Sequence, residues 1–163
     1  MITYKRVLPE ILVSLGDNTV FDDPDSPQKN IVKLHMNLEN WLGDDLLWSF
    51  PEVIVTEKLR NSLGENKFSG FYFTEIEVTF DTYFEDNYHL DIPIPNFYWM
   101  KVNGKEDVDD IFIKKSQLYL SEKLFDFLSK NFSINNLKVN YKSPLEDFIL
   151  GLVERDKKNQ NNA

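Results

Sequence analysis

A chain of 163 residues, 42% of them hydrophobic and 14% aromatic, is long enough for one packed domain and too apolar for wholesale disorder. It has no cysteine, which removes disulfides, thiolate metal sites and a cysteine nucleophile. The net charge is −9, and residues 1–100 hold seven Lys/Arg against seventeen Asp/Glu while residues 101–163 hold eleven against ten; an acidic chain lacks the basic footprint that nucleic-acid binding needs.

The N-terminal residues 1–15 have neither a long apolar stretch nor a small-residue cleavage site, so no signal peptide is expected. No run approaches the ~20 apolar residues of a membrane span, and the expected location is the cytoplasm. Residues 2–8 and 11–15 read as an opening strand and its continuation around Pro9. Residues 16–30 are turn-formers and carboxylates and read as an exposed loop. Ile31 to Met36 reads as a strand. Trp41 to Phe50 brackets Asp44 and Asp45 with apolar residues and leads through Pro51 into the most informative stretch of the chain.

That stretch is said nearly twice. Residues 53–59 are VIVTEKL and residues 118–124 are LYLSEKL. Leu59 and Leu63 answer to Leu124 and Leu128, and Phe68 answers to Phe132 with one gap. Each copy reads as a buried strand, a hydroxyl cap (Thr56 or Ser121) and a short helix whose i, i+4 leucines form one apolar stripe. A second strand follows each helix. The expected fold is α+β: a single domain, residues 1–154, with two pseudo-repeated strand–helix–strand units at about 53–80 and 118–141. They surround a mainly antiparallel or mixed sheet.

Between the copies, Ile76, Val78 and Phe80 alternate with Glu77 and Thr79, a period of two. Phe71 and Phe73 sit on the opposite parity, which predicts a bulge near Thr74 or Glu75. Residues 81–91 are acidic and aromatic together, Pro93 and Pro95 interrupt the chain, and Phe97 to Val102 reads as a strand. Asn103-Gly104 is a turn pair, and Lys105 to Asp110 is a charged loop. After the second copy, Ser143-Pro144-Leu145-Glu146 is a helix start with a capping box, the helix running to about Val153. The tail, residues 155–163, has nothing to bury and is expected to be disordered.

Chemical motifs are scarce. His35 and His89 lie 54 residues apart among apolar neighbours, without ligand spacing. Asp107-Val108-Asp109-Asp110 begins like a calcium loop but lacks the glycine and the closing acid, so it reads as a solvated loop. There is no dinucleotide fingerprint, phosphate loop or nucleophile elbow. Carboxylate pairs recur at Asp22/Asp23, Asp44/Asp45, Glu75/Glu77 and Glu85/Asp86, and two carboxylates are all that a glycosidase needs. With 27 acids in the chain such pairs arise easily, and a charged surface is the simpler reading. No metal, cofactor or catalytic residue is expected.

The duplicated strand–[Ser/Thr]-Glu-Lys-Leu–helix unit is one piece of a longer order. A Gly-Phe-Tyr-Phe strand follows it, then Pro93-Ile94-Pro95-Asn96-Phe97-Tyr98-Trp99, then Asp109-Asp110-Ile111-Phe112 ahead of the second copy. Over roughly residues 41–142 this order resembles a family of bacterial immunity proteins encoded beside polymorphic toxins, whose relatives include proteins with a double Cys-x-x-Cys-Gly motif. The chain departs from that pattern in having no Cys pair, in Ile94 before Pro95 where leucine is usual, and in Ile111 before Phe112. The resemblance implies no catalytic residues. It implies a protein that binds a cognate toxin in the cytoplasm and blocks it without turnover.

An acidic inhibitor suits a basic toxin, and the expected contact surface combines carboxylates with aromatics. Its candidates are Trp41, Asp44, Asp45, Glu75, Glu77, Tyr83, Glu85, Asp86 and Tyr88. Equally open from composition is that the aromatics fold inward and only the carboxylates meet water. A small carboxylate-based hydrolase and a structural scaffold domain are the alternative functions.

Overall fold

Short apolar runs separated by polar turns fold here mostly into strands. The computed structural model describes residues 1–155 except Leu12, Ser143, Pro144, Asp147, Leu150 and Val153. The elements are β1 (Tyr4–Leu8), β2 (Val13–Leu15), β3 (Val20–Phe21), β4 (Ile31–Lys33), β5 (His35–Leu38), β6 (Leu46–Ser49) and β7 (Glu52–Thr56). There follow α1 (Glu57–Glu65), β8 (Phe71–Thr74), β9 (Glu77–Phe80), α2 (Phe84–Asn87) and β10 (Phe97–Val102). The last are β11 (Ile111–Lys114), β12 (Gln117–Ser121), α3 (Glu122–Asn131) and β13 (Lys138–Val139). The described residues between 145 and 155 are also helical. Ser143 and Pro144, expected to start that helix, lie outside the described residues, as does the expected tail apart from Arg155.

The architecture is α+β and mostly sheet. One sheet has the order β11-β12-β1-β13 and a second the order β6-β7-β10-β8, while β2-β5-β9 forms a third and β3-β4 a ribbon. Among the named strands, pairing is antiparallel except for β5 with β9, which is parallel. The strand from early in the chain, β1, sits between β12 and β13, and β10 sits between β7 and β8.

The sheet β6-β7-β10-β8 is covered on both faces. Alternation sends Leu46, Trp48, Val53, Val55 and Met100 into one cluster with the helices and β12. It sends Leu47, Ile54, Phe97 and Trp99 into another with Val13, Met36 and Leu38 of the third sheet. A strand buried on both faces reads as an unbroken apolar run, which is why VIV stands in β7. Burying each of these side chains stabilises the fold by roughly 1.5–3 kcal/mol.

Helices α1 and α3 start where the hydroxyls stand. Thr56 Oγ1 accepts from the Leu59 amide at 3.4 Å, and Ser121 Oγ from the Leu124 amide at 3.1 Å. Both bonds satisfy a donor that has no partner inside the helix. Leu59, Leu63, Leu124 and Leu128 are all buried in the first cluster. Phe68 and Phe132 follow the two helices and both pack against Phe127, with ring centroids 5.1 and 5.8 Å away.

Several local expectations are corrected. Residues 70–80 are not one bulged strand: the chain leaves the second sheet at Thr74 and enters the third at Glu77, so the change of parity is a change of sheet. Residues 31–36 are likewise two strands, β4 and β5, separated by the fully buried Leu34. The loop 16–30 contains β3, and residues 81–91 contain α2. Where α1 leads into β8 and the chain then continues to β9, α3 leads only to the two-residue β13.

Candidate functional site

The aspartate pairs are placed by the β6–β7 and β11–β12 hairpins. Asp45 precedes β6, is 6% exposed, and has both carboxylate oxygens engaged. Thr56 Oγ1 donates to one at 2.6 Å and the Ser133 amide to the other at 2.9 Å. The Asp45 amide donates to the Ser133 carbonyl, and the Thr56 amide to the Asp45 carbonyl. Asp110 precedes β11 and does the same with the opposite half of the chain: Ser121 Oγ donates to it at 2.7 Å and the Ser69 amide at 3.1 Å. Asp44, fully buried, accepts from the amides of Asn135 and Asn136 and from Asn136 Nδ2. Asp109 accepts from the Lys105 amide. These carboxylates clamp loops to strands, so of residues 107–110, read as a solvated loop, Asp107 and Val108 are exposed as expected while Asp109 and Asp110 hold the chain in place.

Trp41 is also interior. It is 5% exposed, its indole donates to the Asp44 carbonyl at 2.8 Å, and it meets Phe97 edge-on. Trp41, Asp44 and Asp45 are therefore not available to a partner, because their polar atoms are spent on the fold and water is already excluded from them. In the 41–48 segment the aromatics fold inward, as one compositional reading had it, but Asp44 and Asp45 are buried with them and do not meet water.

The remaining candidates divide between two faces of β9. Cross-strand partners share a face, so Glu77 stands with His35 and Thr79, and Val78 and Phe80 stand with Met36 and Leu38. Glu77 bonds Lys33 Nζ and Asn18 Nδ2, each at 2.7 Å, and these bonds hold its carboxyl below the usual range. His35 is buried beside it. The Asn18 amide donates to its Nδ1 at 3.1 Å, and its Nε2 lies 2.7 Å from Thr79 Oγ1, which donates onward to Asn37. Nδ1 is thus the acceptor and Nε2 carries the proton, as a packed structural histidine does. Gly16 makes room: a Cβ there would lie 2.1 Å from the imidazole.

On the other face an open groove runs between β9 and residues 94–98. One part, of about 530 Å³, is lined by Glu75, Ile76, Val78, Phe80, Ile94 and Tyr98 among others. A second part, of about 580 Å³, shares Phe80 and Ile94 and continues to Asp81, Phe84 and Glu85. Glu75, Glu85 and Asp86 are exposed, and Tyr83 is 67% exposed. Tyr88 is half-buried, stacked on the buried Phe84 with ring centroids 5.2 Å apart. From residue 68 to residue 100 there are six Asp/Glu and no Lys/Arg. The structure thus brings Glu75 and Glu85 to the groove, turns Glu77 to the opposite face, and leaves Tyr83 and Asp86 exposed nearby in sequence without lining it.

β9 is also an edge. The Glu77 amide donates to the Leu34 carbonyl at 3.1 Å and the Asp81 amide to the Leu38 carbonyl at 2.9 Å. Residues 77, 79 and 81 therefore turn their backbone bonds toward β5. Val78 and Phe80 turn theirs outward, where no strand lies in the sheet order.

One group that sequence reading passed over is Glu10. It is 5% exposed; one oxygen accepts from the Leu42 amide at 3.0 Å and the other has no hydrogen-bond partner. Burial pushes its carboxyl up to about 7, against the opposing Leu42 bond and with help from the nearby Asp44 charge. It lines a cavity of about 310 Å³ with Leu8, Ile11, Leu42 and Lys138, and it is the only carboxylate there among the described residues. A glutamate next to Pro9 in a strand-like run carries no local sign of burial, so nothing in the sequence marked it. Glu52, also raised by burial, is held by the Trp99 indole at 2.7 Å.

Among the described residues no group of three or more His, Asp or Glu side chains is placed to hold a metal ion, and no helix is long and apolar enough to cross a membrane. No family model, no curated protein and no solved structure matches the chain.

Proposed function

We propose that this chain is an immunity-type binding protein, which captures a basic bacterial toxin in the cytoplasm and blocks it without chemistry. The observation that carries the reading is the groove beside β9. It joins exposed apolar and aromatic surface to a stretch, residues 68–100, that holds six acids and no Lys/Arg. Such a surface attracts a basic partner over distance and offers Phe80 and Tyr83 as contacts on arrival.

The order of motifs supports the same family. In this proposal the two hairpin–helix segments are copies. Asp45–Thr56 and Asp110–Ser121 are matching clamps, and each clamp holds the loop that follows the other copy's helix, at Ser133 and at Ser69. Duplication of a binding scaffold supplies rigidity and needs no catalytic group.

The test is co-expression with the product of the neighbouring gene. Growth rescue, a stoichiometric complex on co-purification and no consumption of the toxin are expected. Cell death despite full expression, with no complex at micromolar concentration, would refute the reading for that pair.

A further inference from the structure

We infer that the outer edge of β9 is a docking site for an extended, basic segment of the partner protein, which adds to the third sheet as a strand. The inference rests on the reading of the chain as a partner-binding protein and specifies where and how it binds.

Three observations converge. The first is backbone chemistry: the outward amides and carbonyls of Val78 and Phe80 have no strand beside them, since β9 ends the order β2-β5-β9. Unpaired edge groups are a template for another strand, and proteins usually blunt them with lysine, proline or a cover. β9 reads Glu-Val-Thr-Phe, with neither lysine nor proline, and its one charge, Glu77, is on the face away from the groove.

The second is shape. The edge opens onto the groove of about 530 Å³, whose far wall is residues 94–98. Alternate side chains of an added strand point into that groove between Val78, Phe80 and Ile94, while the others face water.

The third is charge. Glu75 lines one part of the groove, and Asp81 and Glu85 line the other. Lys33 serves Glu77 on the opposite face, and the Arg60 guanidinium lies over the Tyr98 ring, 4.4 Å from its centroid, rather than against these carboxylates. Carboxylates of one sign along a strand edge select a segment with lysine or arginine at the solvent-facing positions, and repel an acidic one.

The test uses the full chain and a labelled peptide of about ten residues, a usual strand length, alternating lysine and valine. One control is the same peptide N-methylated at alternate residues, and another has glutamate for lysine. Amide exchange of Val78 and Phe80 is expected to slow at least about tenfold on binding, while Glu77 and Thr79 change little. N-methylation, which removes strand donors and leaves charge intact, should weaken binding at least about tenfold, and the glutamate peptide should not bind.

Val78→Pro removes an outward donor, and Glu75→Lys with Glu85→Lys removes the charge match; each should weaken the lysine–valine peptide. If Val78→Pro disturbs the fold, the N-methylated peptide still tests the same bonds on the unaltered protein. Equal binding of the N-methylated peptide, protection elsewhere, or no binding at millimolar peptide overturns the proposal. So does a free protein that dimerises with Val78 and Phe80 already protected, because a second copy then occupies the edge. Capture of the toxin that is indifferent to all three substitutions sinks the edge and leaves the inhibitor reading standing. Peptide docking as described without capture of any toxin does the reverse.

Discussion

At the scale of single residues, the chain places several acids where charge is costly, and each has a different answer to the cost. Asp45 answers with hydrogen bonds from Thr56 and Ser133. Replacing it by Ala leaves those donors buried without an acceptor, and a loss of about 2–4 kcal/mol is expected in a denaturant titration. Thr56→Ala should cost about 1–2 kcal/mol, since it removes both a cap and an Asp45 partner. The pair should be non-additive in a double-mutant cycle. Additive losses would mean that the clamp does not act as a unit. Glu10 answers by keeping its proton. Its ordinary value of 4.5 is raised to about 7, so the folded state binds that proton more tightly than the unfolded one does. Stability from this group is therefore greatest at acidic pH and falls as pH rises from about 4.5 through 7, by about 2–3 kcal/mol. Glu10→Gln should flatten that decline and be the more stable form at pH 8. Unfolding curves of both proteins between pH 5 and 8 check this, and an unchanged slope in the variant would assign the decline elsewhere, with Glu52 the next group to replace.

At the scale of elements, what was legible from sequence was what local physics decides. The starts of α1 and α3 could be read because a hydroxyl cap and an i, i+4 leucine pair act within one turn. Leu124 is 2% exposed, so Leu124→Ala should cost about 2–5 kcal/mol, read as a lower denaturant midpoint at unchanged slope. A shift within error would remove Leu124 from the core. What was not legible was decided between elements. A parity change at Thr74 and Glu75 looks the same in sequence whether the strand bulges or changes sheets, and only the presence of β5 beside residue 77 makes it the latter. Asp44 and Asp45 have the composition of a surface; their burial depends on Ser133, Asn135 and Asn136, some 90 residues on, and no local pattern reports that. The exposure of Glu75, Tyr83, Glu85 and Asp86 could be anticipated, because an acidic run free of lysine has few partners inside the fold. The burial of Trp41 could not, since the groups that cover it are non-local.

At the scale of the whole molecule, charge is unevenly divided along the chain. Residues 1–100 carry a net of −10 and residues 101–163 a net of +1. A basic partner should be drawn to the face of β9 and α2, and its association should slow as salt rises. Charge reversal at Glu85 and Asp86 should slow association by about tenfold or less at low salt and by little at high salt, since steering acts mainly on the on-rate. Reversal at Lys157 and Lys158 should leave the rate unchanged. Rates from stopped-flow fluorescence at two ionic strengths decide this. If every acidic reversal is silent while the complex still forms, the contact surface lies elsewhere on the molecule.

The position of β1 has a consequence for how the chain is made. Tyr4 is registered against Ser121 and Val7 against Val139, so β1 pairs with two strands, β12 and β13, that are synthesised long after it. Until residues 117–121 are synthesised, β1 has no strand to join, and the first cluster lacks a wall. Non-local pairing of this kind places refolding in the range of milliseconds to seconds, where helical bundles of similar size take microseconds to milliseconds. A nascent chain in this state exposes an unpaired strand, the kind of species that chaperones hold.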